Sequence, residues 1–312
     1  MLLASMASPS YSGSDTDCGQ LDEDYKQPLR VGISLFPPWA RCRDDSIQGT
    51  NTESSNAVDK CDPELLEGLE VTLARRLACD FNCKMPKFVI KPWDQLIPTL
   101  QEKKVDIIVS GMSITAERAR KVNFSIPYAE STLGLLVNLD SIGGIEHFDE
   151  LKSRNHKLAV LKETVSEGFA RKGGFFETKD IKVESKVEGI AKLFLDAKKG
   201  DAEKIDMYLG TLPLPHIIAE KIRGSLNVQV IEKPLARYRY SSGFAVAKKG
   251  DPDFLNFLNS WIAARKSDGW IEQQREYWVD SIAWMFEDHQ QEAVPTDCKE
   301  VVHQYQHHYQ AQ

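Results

Sequence analysis

The feature that most constrains the fold is a regular alternation of short apolar runs with helical patterns. The run LRVGISL (29–35) is followed by a helical pattern in PELLEGLEVTLARRLACDF, by KFVIKP, by a helix beginning near Asp94, and by VDIIVS (105–110). Short apolar runs separated by helices predict βαβ units with parallel strands and right-handed crossovers. We therefore expect an α/β protein.

A second cycle of the same kind begins after Tyr128. It contains KLAVLK, a helix near 166–172, a helix in KVEGIAKLFLDAKKG, and the run KIDMYLG. A helix around 215–223, the runs VQVIEK and GFAVAKKG, and the helical stretches DPDFLNFLNSWIAARKSDG and WIEQQREYWV complete the pattern. Two cycles predict two lobes, with the chain passing between them more than once.

Length and charge limit the class of protein. The chain has 312 residues, enough for about two domains. A net charge of -7 argues against a general nucleic-acid surface, so no nucleic-acid partner is expected. No apolar run reaches the length of a membrane span. The start, MLLASMASPSYSG, lacks the features of a secretory signal and is either the stump of a mis-started signal or a disordered tail. Residues 1–26 and 287–312 are expected to be polar extensions outside the fold.

The cysteines are even in number, which suits an oxidising compartment. They are Cys18, Cys42, Cys61, Cys79, Cys83 and Cys298. Local closure would pair Cys42 with Cys61 around a polar insertion; Cys79 and Cys83 lie together near the end of a helix, and Cys18 with Cys298 would then join the two tails. Free buried thiols are the alternative. Because no CxxC pair is present and His303, His307 and His308 fall in a Gln-rich tail, neither a metal nor a cofactor is expected.

Arg118 stands out in the segment GMSITAERARKVNFSIPY (111–128). Thr115 is the predicted N-cap of a short helix, and a capping box would place Glu or Gln at position 118. A cation in the first helical turn opposes the macrodipole at a cost of roughly 0.3–1 kcal/mol. A bound anion would reverse that penalty, whereas the alternative is a surface arginine paired with Glu117 or Glu130.

The chain resembles the type 2 periplasmic solute-binding proteins of the polar amino-acid family. The resemblance covers 27–279 and rests on the ordered segments VGISLFPPW, PWDQLIPTL, VDIIVSGMSITAERARKVNFSIPY, KIDMYLG and KGDPDFLNFLNSWIAARKSDGWIEQQREYWV. It implies two α/β lobes around a central ligand cleft, joined by two hinge strands near 130–136 and 232–238. Lobe 1 would comprise 27–130 and 236–286, and lobe 2 would comprise 131–235.

The same resemblance implies a set of ligand-binding residues in lobe 1. Arg118 matches the arginine that grips the ligand's α-carboxylate, with further hydrogen bonds from Ser113 and from the backbone at Gly111. Phe36 and Trp93 match two aromatic residues on opposite walls of the cleft. Trp39 is expected to serve packing.

The second lobe departs from the family pattern at two positions. Thr211, five residues after Asp206, stands where α-amino-acid binders usually carry an Asp that anchors the ammonium. A hydroxyl cannot neutralise a buried cation. Glu163 replaces the glycine that usually precedes Thr164, and its carboxylate either supplies the missing charge or points to solvent. The expected ligand is therefore a small carboxylate-bearing molecule, an amino acid or a related organic acid.

The resemblance implies a non-catalytic, periplasmic or extracellular protein, expected to be a monomer, that delivers its ligand to the membrane permease of an ABC transporter. One alternative is a cyclohexadienyl dehydratase on the same fold. Such an enzyme needs a general acid. The segment TLPLPHII around Thr211 contains no carboxylate and a single histidine, His216, so Glu163 would have to supply the acid. A second alternative is a sensory ligand-binding module that acts through a partner.

Overall fold

The structure is a computed structural model that describes residues 27–43, 61–143, 145, 148–151, 156–172, 181–198, 205–233, 235–285 and 294–307. Its strands are β1 (Arg30–Ile33), β2 (Arg41–Cys42), β3 (Leu66–Glu67), β4 (Lys87–Ile90), β5 (Ile107–Ile108), β6 (Val122–Phe124), β7 (Ala129–Asn138), β8 (Leu158–Leu161), β9 (Ile181–Glu184), β10 (Met207–Thr211), β11 (Val228–Ile231), β12 (Arg239–Ser242) and β13 (Ala245–Ala247). Its α-helices are α1 (Leu69–Asn82), α2 (Leu96–Gln101), α3 (Ala116–Ala119), α4 (Leu139–Ile142), α5 (Val165–Arg171), α6 (Val187–Lys198), α7 (Leu214–Ile222), α8 (Pro252–Ser267), α9 (Trp270–Arg275) and α10 (Cys298–His307).

The first sheet has the strand order β4-β1-β5-β13-β6. Strand β1 pairs in parallel with β4 and β5, whereas β13 runs antiparallel to both β5 and β6. Val31 and Ile33 of β1 and both residues of β5 are fully buried, as expected for a sheet covered by helices on both faces.

The second sheet has the order β11-β7-β10-β8-β9, with β12 also pairing to β7. Strands β10, β8 and β9 run in parallel, and β7 runs antiparallel to β10, β11 and β12. The two α/β cycles of the sequence therefore form two separate sheets, which confirms the predicted two-lobed α/β fold. Both sheets are mixed, although the sequence rhythm alone predicted parallel ones.

Strand β7 belongs to two different pairings. Its first four residues, 129–132, pair with β12, and the rest pair with β10 and β11 in the second sheet. Residues 133–138 are buried, whereas residues 129–132 are partly or fully exposed. The chain thus runs from the neighbourhood of the first sheet into the second along β7.

The helical pattern predicted for 63–81 starts later than expected. Residues Pro63–Leu65 form a 3₁₀ turn, β3 pairs with β2, and α1 begins only at Leu69. The cause is Gly68, whose φ of 122° is open to glycine but strained for other residues. A side chain at this position would also collide with the backbone of Trp39, since an added Cβ would lie 2.6 Å from its carbonyl oxygen.

One of the expected disulfides is present, and the partner of Cys298 differs from the expectation. Cys42 is bonded to Cys61, and Cys79 is bonded to Cys298. The expected pairing of Cys298 with Cys18 is therefore wrong. Cys79 and Cys83 are not joined either, because residues four apart on a helix hold their Cβ atoms about 5–6 Å apart, beyond the reach of a disulfide. Cys83 is also disulfide-bonded, and Cys18 lies outside the described residues.

The C-terminal segment is not a simple extension. Helix α10 packs against α1, and its residue Val301 is fully buried. The disulfide between Cys79 and Cys298 fixes this contact covalently. No helix in the described part of the chain combines the length and apolarity that crossing a bilayer requires.

Candidate functional site

The site is built on the turn that follows β5 and leads into α3. The Thr115 side chain accepts a hydrogen bond from the Arg118 N–H at 3.2 Å, which confirms the predicted N-cap. With its backbone fixed in this way, Arg118 extends its side chain away from the helix. Neither Glu117 nor Glu130 is its ion-pair partner, since Glu117 lies 3.5 Å from Lys121 and Glu130 lies 3.6 Å from Arg239.

The Arg118 guanidinium donates two hydrogen bonds to carbonyl oxygens. Nη1 donates to Ser113 O at 2.9 Å, and Nη2 donates to Glu163 O at 2.8 Å. Ser113 lies in the same turn, whereas Glu163 follows β8 of the second sheet. The guanidinium therefore bridges the two lobes.

Burial governs the electrostatics of Arg118. Desolvation lowers the pKa of its guanidinium from the ordinary value to about 10, and the nearby carboxylates of Glu117 and Glu163 offset part of this effect. The group remains charged at neutral pH, but the oxygens that it contacts belong to neutral amides. A partly buried cation without direct ionic neutralisation is suited to receiving an anion.

The loop 162–164 of the second lobe meets the first lobe at several points. Trp93 Nε1 donates to Glu163 O at 3.2 Å, so one carbonyl oxygen receives both the indole and the guanidinium. Lys162 Nζ forms an ion pair with Asp94 Oδ2 at 2.7 Å. Glu163 holds a φ of 56°, the left-handed conformation that glycine adopts most easily and that is consistent with glycine in the family.

Phe36 and Trp93 lie together beside Arg118. Their ring centroids are 5.6 Å apart in an edge-to-face arrangement, and the Arg118 guanidinium lies 5.2 Å from the Trp93 ring. The expectation that they form opposite walls is wrong for this conformation, because rings in direct contact leave no space for a ligand between them. Phe36 also packs with buried residues of the second lobe, including Leu161 and Tyr208.

Gly111 and Ser113 lie in the turn that leads to Arg118. Gly111 has a φ of 63°, its carbonyl accepts a hydrogen bond from Ser242 Oγ at 3.3 Å, and the Trp39 ring covers it. Ser113 is buried and forms an isolated bridge with Ser242. In this conformation, the Ser113 carbonyl oxygen accepts a hydrogen bond from Arg118.

Thr164 and Thr211 take different places. The Thr164 hydroxyl donates to Leu161 O at 2.6 Å and caps α5 by accepting from the Glu167 N–H, so it serves the loop rather than the cleft. Thr211 ends β10, opposite Leu133 on β7, and is partly exposed. The Glu163 side chain is exposed, yet it lies close enough to Arg118 to affect its pKa.

Glu70, which no sequence motif singled out, also belongs to this region. Its side chain is completely buried in the first turn of α1, and Tyr128 Oη donates to its Oε1 at 2.7 Å. The Gly111 N–H points at the same carboxyl group. In the sequence, Glu70 is visible only as a glutamate flanked by apolar residues in GLEVTL. A helical pattern alone is equally compatible with such a glutamate on the surface.

A separate cavity of about 620 Å³ lies along the first half of β7. It shares neither Phe36, Trp93, Arg118 nor Glu163 with the site described above. Several of its charged groups already contact each other, such as His216 with Glu232 at 2.9 Å.

Comparisons with known proteins identify the family of the chain. The family model of the bacterial extracellular solute-binding proteins, family 3, matches residues 56–281. The L-cystine-binding protein TcyJ of Escherichia coli (strain K12) is 28% identical over 215 residues, which are 68% of this chain and 74% of that protein.

Two solved structures show the same fold. A binding component of an ABC transporter from Wolinella succinogenes DSM 1740, complexed with lysine, has a TM-score of 0.65 and 27% identity, with coverage of 83% of this chain and 99% of that chain. An ancestral amino acid-binding protein described as a precursor of cyclohexadienyl dehydratase has a TM-score of 0.60 and 30% identity, with coverage of 81% and 95%. The chain therefore belongs to the bacterial extracellular solute-binding proteins of family 3, and its role is to bind a solute.

Proposed function

We propose that this protein captures a small carboxylate-bearing compound outside the cytoplasm and delivers it to the permease of an ABC transporter. The observation that carries the proposal is the Arg118 guanidinium, which bridges the lobes and donates only to neutral carbonyl oxygens. Relatives of this chain bind L-cystine and lysine, both of which carry an α-carboxylate. We further propose a monomer with lobes at 27–130 plus 236–286 and at 131–235.

The carboxylate would replace the Glu163 carbonyl on Arg118. A carboxylate can accept two parallel hydrogen bonds from a guanidinium and neutralise it, whereas the Glu163 carbonyl oxygen accepts one from the guanidinium and carries no charge to compensate it. Displacing Glu163 O also frees Trp93 Nε1 and allows the Trp93 ring to move from Phe36. The proposed site thus comprises Phe36, Trp93, Gly111, Ser113 and Arg118.

From the second lobe, Glu163, Thr164 and Thr211 complete the proposed set. Thr211 offers no charge for a ligand ammonium, but the Glu163 carboxylate acts electrostatically on Arg118 and therefore lies near the same ligand position. We propose that Glu163 compensates in part for the missing aspartate. An α-ammonium would then contribute to affinity without being essential.

The protein is proposed to bind rather than to react. A dehydratase requires a general acid held at the leaving hydroxyl with a pKa suited to proton donation. Glu163 is exposed to solvent, and Asp94 is engaged by Lys162. Incubation with prephenate should therefore yield no phenylpyruvate above the uncatalysed rate.

A thermal-shift panel tests the ligand class. The panel should contain L-α-amino acids, their deaminated analogues and aromatic carboxylates. A compound present at 100 times its dissociation constant stabilises the native state by about 2.7 kcal/mol, which gives a measurable shift. We expect carboxylate compounds to raise Tm and their amides to have no effect.

The variant Glu163→Gln tests the ammonium contact. It should weaken binding of an amino acid while leaving its deaminated analogue unchanged, because only the first carries the cation. Equal weakening of both would show that Glu163 acts on the loop rather than on the ammonium. A panel in which no carboxylate raises Tm would refute the proposed ligand class.

A further inference from the structure

We propose that Glu70 is a positioning residue whose carboxyl group holds two parts of the ligand site together and couples them to proton binding. This inference rests on the proposed function, because it assigns a role within the same site. The two parts are the turn at Gly111, which leads to Arg118, and Tyr128, which directly precedes β7.

The carboxyl group of Glu70 faces both parts, and the backbone of the same residue contacts a third segment, the turn 36–40 that carries Phe36. Its N–H donates to Trp39 O at 2.8 Å, and this bond ties the turn 36–40 to the N-terminus of α1. Its carboxyl group accepts from Tyr128 Oη at 2.7 Å and faces the Gly111 N–H. Tyr128 directly precedes β7, so the carboxyl group touches both the turn that leads to Arg118 and the strand that enters the second lobe.

One oxygen of the Glu70 carboxyl group has no hydrogen-bond donor beside it within the described residues. Within the described part of the chain, Glu70 Oε2 is buried and has no hydrogen-bond partner. The titratable group that faces the carboxyl is the Tyr128 phenol, whose own pKa is raised well above the ordinary value by burial and by Glu70. The other neighbours named above are backbone groups of Gly111 and Trp39, so no described contact supplies a cation.

The burial of the Glu70 carboxyl group also affects how tightly it binds a proton. Burial raises the pKa of Glu70 from 4.5 to about 7, against the opposing hydrogen bonds from Tyr128 and Gly111. Because the folded-state pKa is raised, the folded site binds the proton more tightly than an opened site. This contribution to stability is fully present below the ordinary pKa and is lost as the pH rises through about 7.

Hydrogen exchange of the full chain, measured without added ligand, tests the proposal. Local opening that exposes Glu70 should become about tenfold easier per pH unit between about pH 5 and 6.5, and should level off above about pH 7.5. After correction for intrinsic chemical exchange, the peptide containing Gly111 should show this profile. In Glu70→Gln the profile should be flat, because an amide does not titrate.

Two further variants separate positioning from general stability. Glu70→Ala should lose protection at Gly111 and at the start of β7 more than in the second sheet. Glu64→Gln, which removes an exposed carboxylate just ahead of α1, should keep the wild-type profile.

A wild-type pH profile in Glu70→Gln, or a uniform loss of protection in Glu70→Ala, would overturn the proposal. The exchange experiment needs no ligand. If no compound of the thermal-shift panel binds, the proposed function fails, and the role of Glu70 is still decided.

Discussion

Replacing Arg118 should remove binding without removing stability. In Arg118→Ala a desolvated ligand carboxylate would lose its cation, which typically costs about 2–5 kcal/mol, or roughly 30- to 5,000-fold in Kd. Arg118→Lys retains the charge but lacks the planar fork, so it should also bind weakly. Both variants keep the Thr115 cap, because that bond uses the backbone N–H of residue 118.

The stability of the free protein should behave differently. Desolvation lowers the pKa of Arg118 to about 10 even with the carboxylates of Glu117 and Glu163 nearby, so holding its guanidinium charged in this site costs on the order of 3 kcal/mol. Its bonds to Ser113 O and Glu163 O return part of that cost. We therefore expect Arg118→Ala to have an unchanged or raised Tm when no ligand is present. Loss of function without loss of stability is typical of a residue retained for binding.

Calorimetric titration with the strongest binder from the thermal-shift panel, together with denaturant unfolding, provides the measurements. Arg120→Ala is a matched control, since Arg120 is an exposed arginine at the end of the same short helix. It should leave both Kd and the unfolding free energy unchanged. Wild-type affinity in Arg118→Ala would refute the assignment of the carboxylate site. A large loss of stability would refute the electrostatic argument.

Two other perturbations address the contacts around the site and the C-terminal helix. Asp94→Asn removes the ion pair with Lys162 that joins the lobes, so the bound ligand should dissociate faster, and its dissociation rate should depend less on salt. Stopped-flow measurements at low and high NaCl give these rates. Equal dissociation rates of the variant and the wild type would contradict a role of the ion pair. Replacing Cys79 and Cys298 by serine opens a covalent loop with a sequence separation of 219, which should lower the free energy of unfolding by about 3–5 kcal/mol while leaving the ligand-induced Tm shift intact. Denaturant unfolding under non-reducing conditions measures the first effect, and equal stability of both proteins would contradict it.

Local rules and motif order predicted much of this molecule. The alternation of apolar runs and helices predicted the α/β class, and the cap at Thr115 followed from side-chain chemistry within one helical turn. The positions of Phe36, Trp93 and Arg118 in ordered segments led to the family. In the structure these three side chains do lie together.

Contacts between residues far apart in the chain could not be predicted from local sequence patterns. The bond between Cys79 and Cys298 depends on where α10 packs, which no local pattern specifies. The late start of α1 depends on the close approach of Trp39 to Gly68. Glu70 is buried because two segments distant in sequence converge on it, whereas its local pattern is that of an ordinary helical glutamate.

The double pairing of β7 has a mechanical consequence. Residues 133–138 are held between two neighbours in the second sheet, so they can only move together with it. Residues 129–132 share hydrogen bonds with β12, and together they form a narrow two-stranded ribbon that twists more easily than a wide sheet. We infer that the junction of these halves, between Thr132 and Leu133, acts as a torsion spring whose stiffness sets how fast the cleft opens. Substitutions in that ribbon would change the lifetime of the complex without touching the captured molecule.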